Sequence, residues 1–254
     1  MLNGLVLGLK ISRINYLNAV KQIVDWVITS ESRMVFAANV HMVMEAHDSK
    51  EFAGVVNIAD LVTPDGMPLV WMLRLKGFKE QERVYGPTLM LHILETAARN
   101  HIPVGFYGGN PEVLDRLVKK MKGKFPELNI VHSYSPPFRT LTYAEDIKVS
   151  RDIQEAGVRI LFVGLGCPKQ EIWMAEHRGR INAVMVGVGA AFDFQAGSKA
   201  QAPSWMQAIG LEWLFRFLHE PRRLARRYLY NNPRFVVLAL ADILGILYGG
   251  KKEA

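Results

Sequence analysis

An α/β fold, with a Rossmann-like, largely parallel sheet flanked by helices and a basic amphipathic helical appendage at the C-terminus, is what this 254-residue sequence predicts. Three observations carry the expectation. Short apolar runs of strand length alternate with longer segments whose apolar residues recur at helical spacing. The chain is long enough for one sizeable core and too short for two full enzyme domains. Half of its residues are hydrophobic, with Gly and Pro spread throughout, which excludes a disordered or low-complexity chain.

Taken in order, the apolar run at residues 4–10 reads as a first strand and not as a signal peptide, because no basic lead-in or small-residue cleavage site accompanies it. Further strands are expected at residues 34–38, 59–63, 103–107, 129–132, 159–164 and 183–188. Helices are expected at 16–29, where Leu17, Val20, Ile23, Val24 and Val27 share a face, and at 88–100 and 112–122. No internal repeat is present. The expected division is a catalytic core over residues 1–200 and an appendage over 201–254. A single cysteine, Cys167, excludes an internal disulfide framework, the seven histidines are scattered without pairing, and no Cys/His cluster has zinc-ligand spacing. The expected compartment is the reducing cytoplasm, and no metal and no cofactor is expected.

Charge is unevenly placed. The formal net charge is +7, and between Glu212 and Arg234 there are six arginines (Arg216, Arg222, Arg223, Arg226, Arg227, Arg234) against two acids, Glu212 and Glu220. That stretch suits an anionic partner: nucleic acid, anionic lipid headgroups or a diphosphate.

In parallel sheets of this kind ligands bind beyond the carboxyl ends of the strands, so the strand-to-helix turns are the places to read. Asn39 follows the strand at 34–38, and Asp65 precedes Gly66 after the next one. On sequence alone Asp65 is as suited to capping the following helix as to facing a pocket, and capping is the commoner role. The turn Gly164-Leu165-Gly166-Cys167-Pro168-Lys169-Gln170-Glu171 places backbone amides and a helix N-terminus where a phosphate or other polar ligand would sit. Glu171 is accountable there as favourable first-turn charge, whereas the helix dipole gives Lys169 no reason to be at that end. Gly108 and Gly109 make another strand-to-helix turn without the spacing of a dinucleotide or phosphate-loop fingerprint. Gly187 begins a run of small residues leading to Asp193. No Asp-x-Asp is present, so a leaving diphosphate would be met by protein cations.

Four segments, GLGCPKQE from Gly164, GVGAAFDFQAG from Gly187, Ala202-Pro203 with Trp205-Met206-Gln207, and GLEWLFRFLHEPRRLARRY from Gly210, resemble the WecG/TagA/CpsF glycosyltransferase family. The resemblance extends upstream through Asn39, Asp65 and the Arg83-Val84-Tyr85-Gly86-Pro87 turn. It implies an inverting, metal-independent transferase of bacterial surface-polymer synthesis, of the teichoic acid type. The implied donor is a UDP-sugar, chiefly UDP-N-acetylmannosamine, with the uronic acid or UDP-glucose in capsule and exopolysaccharide pathways. The implied acceptor is N-acetylglucosaminyl-diphospho-undecaprenol. The resemblance makes Asp65 the general base, with Asn39 and Arg83 in its pocket. It gives Gln170 a hold on sugar or diphosphate and turns Asp193 to the nucleotide. Two departures are Ala37, where the family often has Thr, and Gln201, where it often has Arg.

The tail is apolar and basic at once. Leu211, Leu214, Phe215 and Leu218 form one stripe, and arginines recur at helical spacing after Pro221. The run 235–248 is almost wholly apolar apart from Asp242, yet shorter than the roughly 20 residues of a spanning helix. The expectation is an appendage that docks on the inner leaflet and closes the site, placing Arg216, Arg223 and Arg226 against a diphosphate. The plainer alternative is that the stripe packs on the core and the arginines are solvated. The same tail is compatible with burial in a homo-oligomer. A nicotinamide oxidoreductase is disfavoured because the first strand-to-helix turn lacks Gly-x-Gly-x-x-Gly. A nucleic-acid binder would use the arginines but leave the polar strand ends without a role.

Overall fold

The structure is a computed structural model, and it describes residues 2–246. The chain opens with an antiparallel hairpin, β1 (Asn3–Val6) and β2 (Leu9–Ser12), reversing at Leu7 and Gly8, whose φ angles are 47° and 83°. Two successive positive φ values give the turn whose twist matches that of the strands. The single strand expected at 4–10 is therefore broken in two, and the hairpin is a sheet of its own.

There follow α1 (Tyr16–Ile28), β3 (Arg33–Ala38), α2 (Val40–Asp48), α3 (Lys50–Asn57), β4 (Leu61–Pro64), α4 (Met67–Leu75), α5 (Gly86–Arg99) and β5 (Val104–Gly108). Next come α6 (Pro111–Lys124), β6 (Ile130–Tyr134), α7 (Tyr143–Glu155), β7 (Ile160–Gly164), α8 (Lys169–Glu176), β8 (Val184–Gly187) and α9 (Ala191–Ala196). The main sheet has six strands in the order β4-β3-β8-β7-β5-β6. Every pairing in it is parallel. Helices cover both faces, which is why the strands read as apolar runs without alternation. The side chains still divide with a period of two. Met34 and Phe36 of β3, with Leu161 and Val163 of β7, join one core with Met42 and Met174. Val35, Ile160 and Phe162 join the other with Ile23, Leu89 and Leu117.

The C-terminal segment comprises α10 (Ser204–Ala208), α11 (Glu212–His219), α12 (Pro221–Ala225), a π-helical turn (Arg226–Tyr230) and α13 (Asn231–Ile243). The sequence reading laid the run from residue 235 on the bilayer, but α13 has two faces. Phe235 and Ala239, one helical turn apart, are buried in the core, whereas Val237 and Leu244 are exposed. Asp242 has a partner inside the fold: Lys76 Nζ lies 2.7 Å from it and the Leu7 amide donates to it at 3.1 Å. Arg234 pairs with both oxygens of Asp48 at 2.9 and 2.6 Å. Residues 247 and 248 of the expected run lie outside the described residues. Among the described residues no helix is long and apolar enough to cross a membrane.

Candidate active site

The turns that leave β3, β5, β7 and β8 open into a cleft of about 1180 Å³ at the carboxyl edge of the sheet, roofed by residues of α11 and α12. Asp65 stands at its inner end, one residue past β4. Capping does not account for it. The N-cap of α4 is Gly66, with no side-chain bond, and Asp65 Oδ1 instead accepts the Gly86 amide at 3.1 Å, in the first turn of α5. Asn39 spends its Oδ1 on capping α2, accepting from the His41 and Met42 amides at 3.1 and 3.3 Å, and lines both clefts beside Asp65.

Arg83 holds the other side of the base. Its Nε donates to the Asp65 carbonyl, and its Nη2 lies 3.8 Å from Asp65 Oδ1 but 2.6 Å from Glu212 Oε2. The Tyr85 hydroxyl donates to the other Glu212 oxygen at 3.1 Å, beneath the Arg83 guanidinium, which lies 4.1 Å above its ring. Glu212, the first residue of α11, therefore draws the arginine away from the base. Burial pushes the Asp65 carboxyl up to about 6, and the Glu212 charge adds to the rise; Arg83, the Gly86 amide and Asn39 oppose it. A carboxylate so placed is ionised at neutral pH and still able to hold a proton.

The floor of the cleft is the β7–α8 turn. Gly108 and Gly164 are needed for close packing of strand ends: a Cβ on Gly108 would stand 2.7 Å from the Gly164 carbonyl carbon, and one on Gly164 would stand 2.6 Å from the Phe192 ring. Gly187 likewise lies under the Gln170 side chain, where a Cβ would meet Nε2 at 3.1 Å. Gly109, Gly164, Gly166, Lys169, Gln170, Glu171, Gly187 and Asp193 line the cleft, whereas Gly108 and Pro168 do not. Glu171 is fully buried and is no solvated first-turn charge. Gln170 Nε2 donates to it at 2.6 Å, and burial pushes its carboxyl up to about 7. Asp193 lies 3.5 Å from Lys199, which in turn is 3.1 Å from Glu220, the partner of Arg223.

Arg216, Arg223 and Arg227 line the cleft; Arg226 points to solvent. Of the three arginines expected to meet a diphosphate, Arg216 and Arg223 line the cleft and Arg226 is exposed outside it. Leu224 and Tyr228, four residues apart and both buried, set the inward face, and Arg223 and Arg227, also four apart, flank it on the cleft side. Arg227 is the unusual one. Its Nε is buried with no protein partner, and burial together with the charges of Arg216 and Arg223 makes its cation less favourable. Gln170 Oε1 and Trp173 Nε1, also in the cleft wall, are buried without protein partners as well. A guanidinium whose Nε is buried without a partner, and that has no carboxylate within salt-bridge distance among the described residues, is costly until an anion arrives. Among the described residues no group of three or more His, Cys, Asp and Glu side chains is placed to hold a metal ion.

A second cleft, of about 700 Å³ and mostly apolar walls, joins the first and shares Asn39, Asp65, Glu212, Arg216 and Arg227 with it. Arg83 lines this second cleft and not the polar one, so the base sits at the junction of the two. Glu212, Tyr85 and Arg227 are the residues that sequence reasoning did not assign to the site. For Glu212 the available signal was an acid opening an otherwise arginine-rich stretch.

The model of the glycosyl transferase WecG/TagA/CpsF family matches residues 5–246 of the chain. Similar proteins include an N-acetylglucosaminyldiphosphoundecaprenol N-acetyl-beta-D-mannosaminyltransferase of Bacillus spizizenii, 29% identical over 83% of this chain and 80% of its own length. Another, of the same name and from Bacillus subtilis, is 28% identical over 82% of this chain and 79% of its own.

Proposed function

The chain belongs to the glycosyl transferase WecG/TagA/CpsF family and is a glycosyltransferase, and on that premise we propose that it moves N-acetylmannosamine from a UDP-sugar to N-acetylglucosaminyl-diphospho-undecaprenol at a membrane surface. The acceptor and the sugar are those in the names of the two Bacillus relatives. The observation that carries the chemistry is the placement of a largely but not fully buried carboxylate, Asp65, at the junction of a polar cleft holding three arginines and an apolar cleft. In the proposed reaction the acceptor hydroxyl loses its proton to Asp65 while its oxygen attacks the anomeric carbon from the face opposite the leaving diphosphate. The bond to the diphosphate breaks, and the configuration inverts. One base on the attacking side suffices for that course. Charge developing on the leaving UDP is met by Arg216, Arg223 and Arg227, so the transfer is proposed to need no divalent cation. The orphaned Gln170 Oε1 and Trp173 Nε1 would then take up hydroxyl or acetamido groups of the donor. Three of the six tail arginines, Arg216, Arg223 and Arg227, face the cleft that holds Asp65, which favours this reading over nucleic-acid binding.

The test is a panel of labelled donors, UDP-N-acetylmannosamine, its uronic acid and UDP-glucose, offered with an N-acetylglucosaminyl diphosphate lipid in the presence and absence of EDTA. The expected outcome is transfer from the first donor, unchanged by EDTA, with inversion at the anomeric carbon. Transfer only from another donor would overturn the assignment of the sugar, and an EDTA-sensitive reaction would overturn the role given to the arginines.

A further inference from the structure

The apolar cleft beside Asp65 is long, has a polar mouth, and is not filled by any of the described residues. Its walls are α4, α13 and the segment around α11, with Trp71, Met72, Trp213, Val236 and Leu240 among the lining residues. At one end stand Asp65, Arg216 and Arg227; at the other, Leu75, Leu240 and Ile243 are 69%, 56% and 38% exposed. Helix α4 runs between the two ends, from Met67 beside the base to Leu75, a rise of about 12 Å at 1.5 Å per residue. Its far end is tied to α13 by the Lys76–Asp242 pair at 2.7 Å, so the two walls are held in register. An elongated apolar trough that begins at cations and ends in exposed apolar side chains has the polarity of a lipid diphosphate, head inward and chain outward.

We propose that this trough grips the isoprenoid units of the acceptor nearest to its diphosphate, so that the enzyme and not the bilayer alone holds the start of the prenyl chain. The inference rests on the acceptor class proposed above. A bound chain of that kind would run from the arginines along α4 and leave between Leu75 and Ile243, toward the exposed apolar face of α13. The acceptor sugar, one diphosphate away from the chain, would then lie at the mouth beside Asp65. Contact with the chain would fix that sugar against the base, which is how remote binding energy lowers a barrier.

The experiment uses the full chain in buffer free of detergent and vesicles, with two acceptors: N-acetylglucosaminyl diphosphate carrying a propyl group or a farnesyl group. Binding is measured by calorimetry and transfer by product formation. The farnesyl compound is expected to bind at least about tenfold more tightly, given the free energy of burying each methylene. Val236→Trp and Leu240→Gln, both at exposed lining positions, are expected to abolish that preference and leave the propyl compound unaffected. Val237→Gln, on the same helix but outside the trough, should preserve it. Equal binding of the two acceptors by the wild type would overturn the proposal, as would a preference that appears only when vesicles are added, since the bilayer would then hold the chain. Chain-dependent binding without transfer would leave the trough standing and count against the proposed reaction instead.

Discussion

Replacing Glu212 with glutamine removes the anion that, among the described residues, competes with Asp65 for Arg83. The guanidinium Nη2 is 2.6 Å from Glu212 and 3.8 Å from the Asp65 carboxylate. With the competing charge gone, Arg83 needs to move only about 1 Å to reach hydrogen-bond distance of Asp65. At an effective dielectric constant of about 20, closing that gap strengthens the Arg83–Asp65 attraction by roughly 1.5 kcal/mol, the equivalent of about one pH unit. Loss of the direct Glu212 repulsion acts in the same direction. The acid limb of kcat/KM, expected near pH 6 in the wild type because Asp65 titrates at about 6, should therefore move to about pH 5 or below in Glu212→Gln. A less basic carboxylate is also a poorer proton acceptor, so turnover at pH 7.5 should fall severalfold, by at most about tenfold for each pH unit lost. The assay is a pH–rate profile with the lipid-linked acceptor varied and donor saturating. A limb that stays at pH 6, or moves upward, would refute the claim that Glu212 sets the basicity of Asp65 through Arg83.

Two further predictions concern the cleft. Arg227→Met should lower turnover by about a hundredfold, the usual cost of losing a donor to developing charge. The same change should leave the melting temperature unchanged or raised, because a part-buried guanidinium whose Nε has no partner is replaced by an apolar chain; parallel melts and transfer assays check both halves. Glu171→Gln should stabilise the protein at pH 8 and do little near pH 4.5. The Glu171 carboxyl is raised from 4.5 to about 7, so the fold loses stability as pH rises through that window and the full loss, on the order of 3 kcal/mol, is present above it. Urea midpoints of the two proteins at the two pH values measure the difference, and an equal or lower midpoint for the variant at pH 8 would contradict the burial argument.

The strands of the main sheet were legible because parallel strands covered on both faces must be continuous apolar runs, as Ile160 to Val163 shows. The first hairpin was not, since its two-residue reversal pairs Gly8, a lone turn signal in an apolar run, with Leu7, a residue type that rarely adopts the positive φ it has here. Asp65 stood out as a polar strand end, but its role could not be separated from capping until Gly66 proved to be the cap and Gly86, from another helix, proved to be the donor. Its electrostatics depend on Glu212, which is 129 residues from Arg83 in the chain and meets it only through tertiary packing. Helical spacing placed arginines along α12 without saying which face turns inward. The burial of Leu224 and Tyr228 puts Arg227, and not Arg226, in the wall of the cleft. Asp242 read as an interruption in an apolar run because its partner, Lys76, lies 166 residues away.

The central claim is that Asp65 takes the proton of the acceptor, and Asp65→Asn tests it most directly. Asparagine keeps an oxygen to accept the Gly86 amide, so the turn is expected to persist while the base is removed. The measurement is transfer of labelled sugar to the lipid-linked acceptor at pH 7.5, alongside the affinity for UDP. The account predicts a loss of turnover of about a hundredfold to ten-thousandfold with UDP affinity unchanged. Turnover within a few-fold of wild type would contradict it and move the base elsewhere in the cleft.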